Sequence, residues 1–184
     1  YNFYIRIKMF HQQKLYDGVY QIWYTLFFAS QNKEITRIMN LLDIIGPVMV
    51  GPSSSHTAGA VKIGRVCHKL LAEKVVRADI YFHGSFLATG KGHGTDKALV
   101  AGLLGMSPDD GRIADSLRIA EEKKVGIEFG EARLKEGHPN TVELKLKGVS
   151  GKKLDIIGES IGGGRINIAQ IDGIETNFSG ENPT

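Results

Sequence analysis

Cysteine is all but missing: Cys67 is the only one in 184 residues. A single thiol excludes an internal disulfide, a four-thiolate cluster and a cysteine-rich zinc site built by this chain unaided. Its setting, Val66-Cys67-His68-Lys69-Leu70-Leu71, predicts a buried helical thiol rather than a reactive one. Also missing is any apolar run near the roughly 18 residues that a membrane span needs. Leu26-Phe27-Phe28-Ala29 comes nearest, and it follows a region studded with Lys14, Asp17 and Gln21. No charged-then-apolar start ends at a small-residue cleavage site, so the expectation is a cytoplasmic protein with no membrane partner. Charge of one sign is scarce too. The 23 basic and 20 acidic residues leave a net +3, spread along the chain without basic runs and interleaved aromatics, which predicts no nucleic-acid partner. Internal repeats and low-complexity tracts are absent.

What is present divides near residue 39. Residues 1–40 hold ten of the fifteen aromatics but only one of the 23 glycines, Gly18, whereas the rest is glycine-rich and aromatic-poor. Met39-Asn40-Leu41-Leu42-Asp43-Ile44-Ile45-Gly46 reads as a domain opening. Residues 1–38 are therefore expected to be a leader, an upstream or a fusion segment outside the fold, the alternative being an aromatic helix docked on the domain. A length of 184 residues with 42% hydrophobic content then suits one core.

Beyond residue 39 the periodicity predicts a helix over 56–73, with Val61, Ile63, Val66, Cys67 and Leu70 on one face, and a strand over 75–82 ending at His83-Gly84. A second helix is expected from about Thr95 to Leu104, stopped by Gly105, and a third within 110–123. Strands follow over 125–129, 142–146 and 153–157, with one long strand over 166–174. Val142-Glu143-Leu144-Lys145-Leu146 alternates strictly, as an antiparallel strand with one wet face does. The predicted class is α+β, a mixed α/β sandwich with helices packed on a largely antiparallel or mixed sheet, not a doubly wound parallel sheet.

Four glycine- or serine-rich segments carry the candidate chemistry. In Gly51-Pro52-Ser53-Ser54-Ser55-His56-Thr57, Pro52 fixes a turn and Ser54 or Ser55 is the expected N-cap, so hydroxyls and free N–H groups converge where a helix N-terminus favours an anion. In Gly84-Ser85-Phe86-Leu87-Ala88-Thr89-Gly90-Lys91-Gly92-His93-Gly94-Thr95-Asp96, the spaced glycines read as a loop bringing Lys91 and His93 close to a ligand, with Asp96 placed to orient His93. Lys91 is followed by Gly92 rather than by Ser or Thr, so this is not a nucleotide-binding phosphate loop. Glu136-Gly137-His138-Pro139-Asn140-Thr141 offers an imidazole in a turn, and Ser160-Ile161-Gly162-Gly163-Gly164 reads as a tight bend between strands. Each segment taken singly also has a plain structural reading, as a helix cap, a glycine turn or a bend.

Taken together and in this order, Gly51 to Thr57, Thr89 to Asp96, His138-Pro139-Asn140 and Ser160 to Gly164 resemble the beta chain of iron-sulfur-dependent L-serine dehydratases, over about Leu41 to the end. The resemblance implies conversion of L-serine to pyruvate and ammonia, in a hetero-oligomer with an alpha chain whose cysteines ligate a [4Fe-4S] cluster. It implies no metal on this chain. It also implies a fold like the allosteric substrate-binding domain of some phosphoglycerate dehydrogenases, with a domain over 39–176 and residues 177–184 opening a link to an ACT domain. On that footing His93, and after it His56, is the expected proton-transfer group. Ser53, Ser54, Ser55, Thr57, Thr89, Lys91, Gly92, Gly94, Thr95, Asp96, His138 and Asn140 are the expected substrate contacts. Two competing readings are a non-catalytic sensor of serine or another small anion and an assembly module whose loops only form an interface.

Overall fold

Alternation along Thr141–Gly148 buries Val142, Leu144 and Leu146 and turns Lys145 and Lys147 outward, so this strand defines an apolar sheet face that helices must cover. The structure, a computed structural model, describes residues 48–132, 134 and 137–179, all within the unit Ile45–Thr184. The expectations for residues 1–38 and for the last five residues lie outside the described residues.

The strands are β1 (Val75–Phe82), β2 (Gly126–Glu131), β3 (Thr141–Gly148), β4 (Lys153–Gly162), β5 (Arg165–Ile171) and β6 (Ile174–Phe178). They form one sheet in the order β2-β1-β3-β4-β5-β6. Only the β1–β2 pair is parallel, joined by a helical crossover; the other pairs are antiparallel. Register stacks Ile80 on Leu144 and Leu144 on Ile156, and these join Ile166 and Ile168 on the covered face. The fold is α+β with a mixed sheet, as the patterning predicted.

Four α-helices are described: α1 (Ala60–Leu71), α2 (Gly84–His93), α3 (Thr95–Leu103) and α4 (Ser116–Glu122). A wide turn over Ser54–Gly59 leads into α1, and a tight one over Ile113–Asp115 into α4. Val61, Ile63, Cys67 and Leu71 of α1 pack with Leu99, Val100 and Leu103 of α3. Cys67 is wholly inaccessible, and burial pushes its thiol up to about 12. The expected buried thiol is what the structure shows. Among the described residues no helix is long and apolar enough to cross a membrane.

Two expectations need correction. The glycine-rich stretch 84–93 is a helix, α2, rather than a loop. Its glycines cost helix stability, but tertiary contacts outweigh them: Pro139 O accepts the Ser85 and Phe86 N–H groups at its start, and Phe86 is a buried anchor. Gly94, at φ +67°, ends the helix. The single strand expected over 166–174 is two, β5 and β6, separated by Asp172 and Gly173 at φ +48° and +83°. Asp-Gly is the favoured pair for a tight hairpin turn with both residues left-handed, and the apolar run on either side masked it.

Candidate active site

Ser53 is extended, and its Oγ accepts the His56 N–H at 3.0 Å, so the cap stands at Ser53 and not at Ser54 or Ser55. Such a cap contributes about 1 kcal/mol. Ser53 O accepts from Thr57 N at 2.8 Å and more weakly from Ala58 N at 3.3 Å. The second bond widens the first turn, a distortion frequent at functional sites. Two contacts hold this turn against its surroundings: Val50 N–H donates to Pro108 O at 2.8 Å, and the fully buried Ser160 Oγ donates to Ser55 O at 2.9 Å. A Cβ on Gly59 would lie 2.2 Å from Ser160 Oγ, so only glycine allows the turn to sit this low on β4.

The wide turn delivers the His56 ring to α2. Thr89 Oγ1 donates to Ser85 O at 2.9 Å, so its lone pairs face His56 Nε2 at 3.0 Å. His56 Nε2 is therefore the protonated nitrogen, and Nδ1 accepts from Ser55 Oγ at 3.4 Å. Ser85 Oγ stands 3.3 Å from the same Nε2, and Phe86 meets the ring edge-on at 5.2 Å. One turn further along α2, His93 Nδ1 donates to Thr89 O at 3.0 Å, which makes Nε2 its basic nitrogen. The two imidazoles lie 4.9 Å apart. Thr57 Oγ1, donating to His93 O at 3.4 Å, ties the serine turn to the end of α2.

His56 is 9% exposed. Burial depresses its pKa below 6.5 and the nearby His93 adds to the shift, against a pull upward from the Ser85 backbone. Above pH 6.5 both the folded and the unfolded chain hold this ring neutral. As pH falls through that value the unfolded chain takes the proton first, so stability is lost on the acid side until the folded pKa is passed. Thermal unfolding between pH 8 and pH 5 is expected to show a falling midpoint that is shallower in His56→Gln; parallel curves for the two proteins would contradict the assignment.

The third segment closes the group from β3. Asn140 donates its backbone N–H to His138 Nδ1 at 3.1 Å, accepts the Ser160 N–H at 2.9 Å, and turns its side-chain Nδ2 toward Ser160 O at 3.4 Å. Since Pro139 O caps α2 and Ser160 holds Ser55, the His138-Pro139-Asn140 turn stands beside both the serine turn and α2. Ser53, Ser55, His56, Thr57, Thr89, His93, His138 and Asn140 thus belong to one connected network, and Ser54 is half-buried within the same turn. Other predicted residues stand apart from it. Lys91 and Gly92 are exposed on α2, and Gly94 serves as the joint to α3. Asp96 Oδ1 accepts the Lys97 N–H at 2.8 Å, and the His93 ring is oriented by the Thr89 carbonyl rather than by Asp96. Thr95 is fully buried and its Oγ1 has no partner among the described residues.

Sequence reasoning missed Ser85 and Phe86 as members of the site. Ser85, Thr89 and His93 recur every four residues, a spacing that shares one face only if the stretch is helical. Ser160 was read as part of a bend, and nothing local signals that its hydroxyl reaches Ser55.

With this geometry in view, residues 40–124 match the family described as serine dehydratase beta chain. The chain is 46% identical over 147 residues to the probable L-serine dehydratase beta chain of Bacillus subtilis (strain 168), covering 80% of this chain and 66% of that protein. It is 44% identical over 143 residues to the L-serine dehydratase beta chain of Peptoniphilus asaccharolyticus, covering 77% of this chain and 64% of that one. A match to an L-serine dehydratase of Helicobacter pylori (strain ATCC 700392 / 26695) is 31% identical over 156 residues and takes in 34% of that protein. The chain spans just under two thirds of the two beta chains it matches.

Proposed function

Because this chain belongs to the serine dehydratase beta-chain family, we propose that it is the beta component of an L-serine ammonia-lyase. In that role it converts L-serine to pyruvate and ammonia in the cytoplasm, in a hetero-oligomer with an alpha chain. The observation that carries this reading is the His56–His93 pair at 4.9 Å beside a serine-lined helix start. Ser53, Ser54 and Ser55 present hydroxyls at that start, where the helix dipole favours a carboxylate. The Thr57 and Thr89 hydroxyls donate within the site and build it.

His93 is the base of this proposal. Its Nδ1–H is committed to Thr89 O, so the neutral ring offers a lone pair at Nε2 for the substrate's Cα proton. His56 is held on both nitrogens and acts as the support of that arrangement. Loss of the Cα proton and of the β-hydroxyl gives an enamine, which becomes an imine and is hydrolysed to pyruvate and ammonia. A [4Fe-4S] cluster, which the alpha chain of this proposal would hold, would supply the Lewis acid for departure of the hydroxyl. Cys67, fully buried in the core with its thiol pushed up to about 12, does not fit cluster ligation.

The test is to combine this chain with an alpha chain carrying clustered cysteines and to follow pyruvate and ammonia from L-serine. Stoichiometric release of both is the expected result. A complex that binds L-serine without turning it over would leave a sensor and overturn the enzymatic reading.

A further inference from the structure

Within the connected network, the amide of Asn140 is half committed and half open among the described residues. Its nitrogen is committed: Nδ2 donates to the strand carbonyl of Ser160 at 3.4 Å. Rotating the amide by half a turn would set carbonyl oxygen against carbonyl oxygen, so Ser160 O fixes which end faces the strand. The backbone cannot readjust either, because Asn140 N–H is held by His138 Nδ1 at 3.1 Å and its C=O by Ser160 N–H at 2.9 Å. Oδ1 is thereby aimed away from β4, inaccessible, and without a partner among the described residues. An orphaned buried acceptor is costly, and this one is held in a rigid frame that Ser160 joins to the serine turn.

We propose that Asn140 Oδ1 receives an N–H of the substrate's ammonium, and that Ser160 is the positioning residue that orients it. This rests on the amino-acid substrate proposed above. The assignment follows from sign. An acceptor that cannot turn round repels a carboxylate and attracts a cationic N–H, and a hydrogen bond to a charged donor is the stronger kind. Ser160 connects the two ends of the ligand: its carbonyl sets the Asn140 amide, and its hydroxyl holds the Ser55 carbonyl in the turn that faces the carboxylate. A ligand bearing both groups spans one strand residue's two hydrogen bonds, whereas a hydroxy acid without nitrogen uses only the serine turn.

The experiment compares Asn140→Leu with the unaltered chain, each assembled with the alpha chain. It measures KM for L-serine and inhibition by glycerate, which has the carboxylate and hydroxyl but no ammonium. Removing the acceptor is expected to raise KM for L-serine on the order of 10- to 100-fold while glycerate inhibition shifts by less than about threefold. Asn140→Ala, a smaller change that removes the same acceptor, is expected to show the same serine-selective loss and keeps the question answerable should the leucine variant fail to fold. Equal weakening of serine and glycerate would reduce Asn140 to a structural part, and an unchanged KM would remove it from the site. An unaltered enzyme that turns over no L-serine would overturn the functional reading itself, a result separate from either.

Discussion

Alanine in place of His93, in the proposed two-chain enzyme, is expected to lower kcat for L-serine by about two to four powers of ten while moving KM little. The ring is anchored by its Nδ1–H on the Thr89 carbonyl at 3.0 Å, and its Nε2 carries the free lone pair. Its removal therefore deletes the proposed proton acceptor without disturbing Ser53, Ser54 or Ser55. A further readout separates a base from a structural part: imidazole added to the buffer should restore some turnover. A variant with near-normal turnover would take His93 out of the role and return the question to His56. The His56 ring is less suited to it, because Thr89 Oγ1 and Ser55 Oγ already engage both of its nitrogens.

How far this site was legible before the structure depended on what each segment's evidence was made of. The α+β class followed from alternation in 142–146 and helical spacing in 56–73, both local signals with a fixed period. Ser53 to Thr57 was recognisable as a helix start for the same reason, and the cap missed its place by one or two residues because three successive serines are equally able to cap. The α2 helix was not legible. Gly84, Gly90 and Gly92 lower its intrinsic propensity, and what secures it is the Pro139 carbonyl and the burial of Phe86, both of them tertiary. With α2 misread, the common face of Ser85, Thr89 and His93 was hidden, and Asp96 took the orienting role that belongs to a backbone carbonyl. Ser160 and Ser55 are 105 residues apart, a contact that no window along the chain contains.

Glycines that look alike in the sequence also differ in what a side chain would meet, and here the expected effects have opposite signs. Where α1 crosses α3, a Cβ on Gly64 would stand 2.3 Å from Leu99 O and 2.8 Å from Leu103 N, and one on Gly102 would stand 2.1 Å from Val61 O. The obstructing atoms are backbone, so no rotamer change relieves the clash and the helices must separate. The apolar contacts of Val61, Ile63, Leu99 and Leu103 go with them. Gly64→Val is expected to cost about 3 kcal/mol or more, beyond the usual penalty for an overfilled core. That is a large part of the 5–15 kcal/mol typical of a whole domain. Gly92 also lies within a helix, but a Cβ there meets nothing within 4 Å. Gly92→Ala should therefore stabilise by about 0.5–1 kcal/mol, through the lower entropy of the unfolded chain. Urea unfolding of the two variants beside the unaltered chain checks both: a Gly64→Val midpoint close to the original would mean that the α1–α3 crossing is looser than its backbone contacts require.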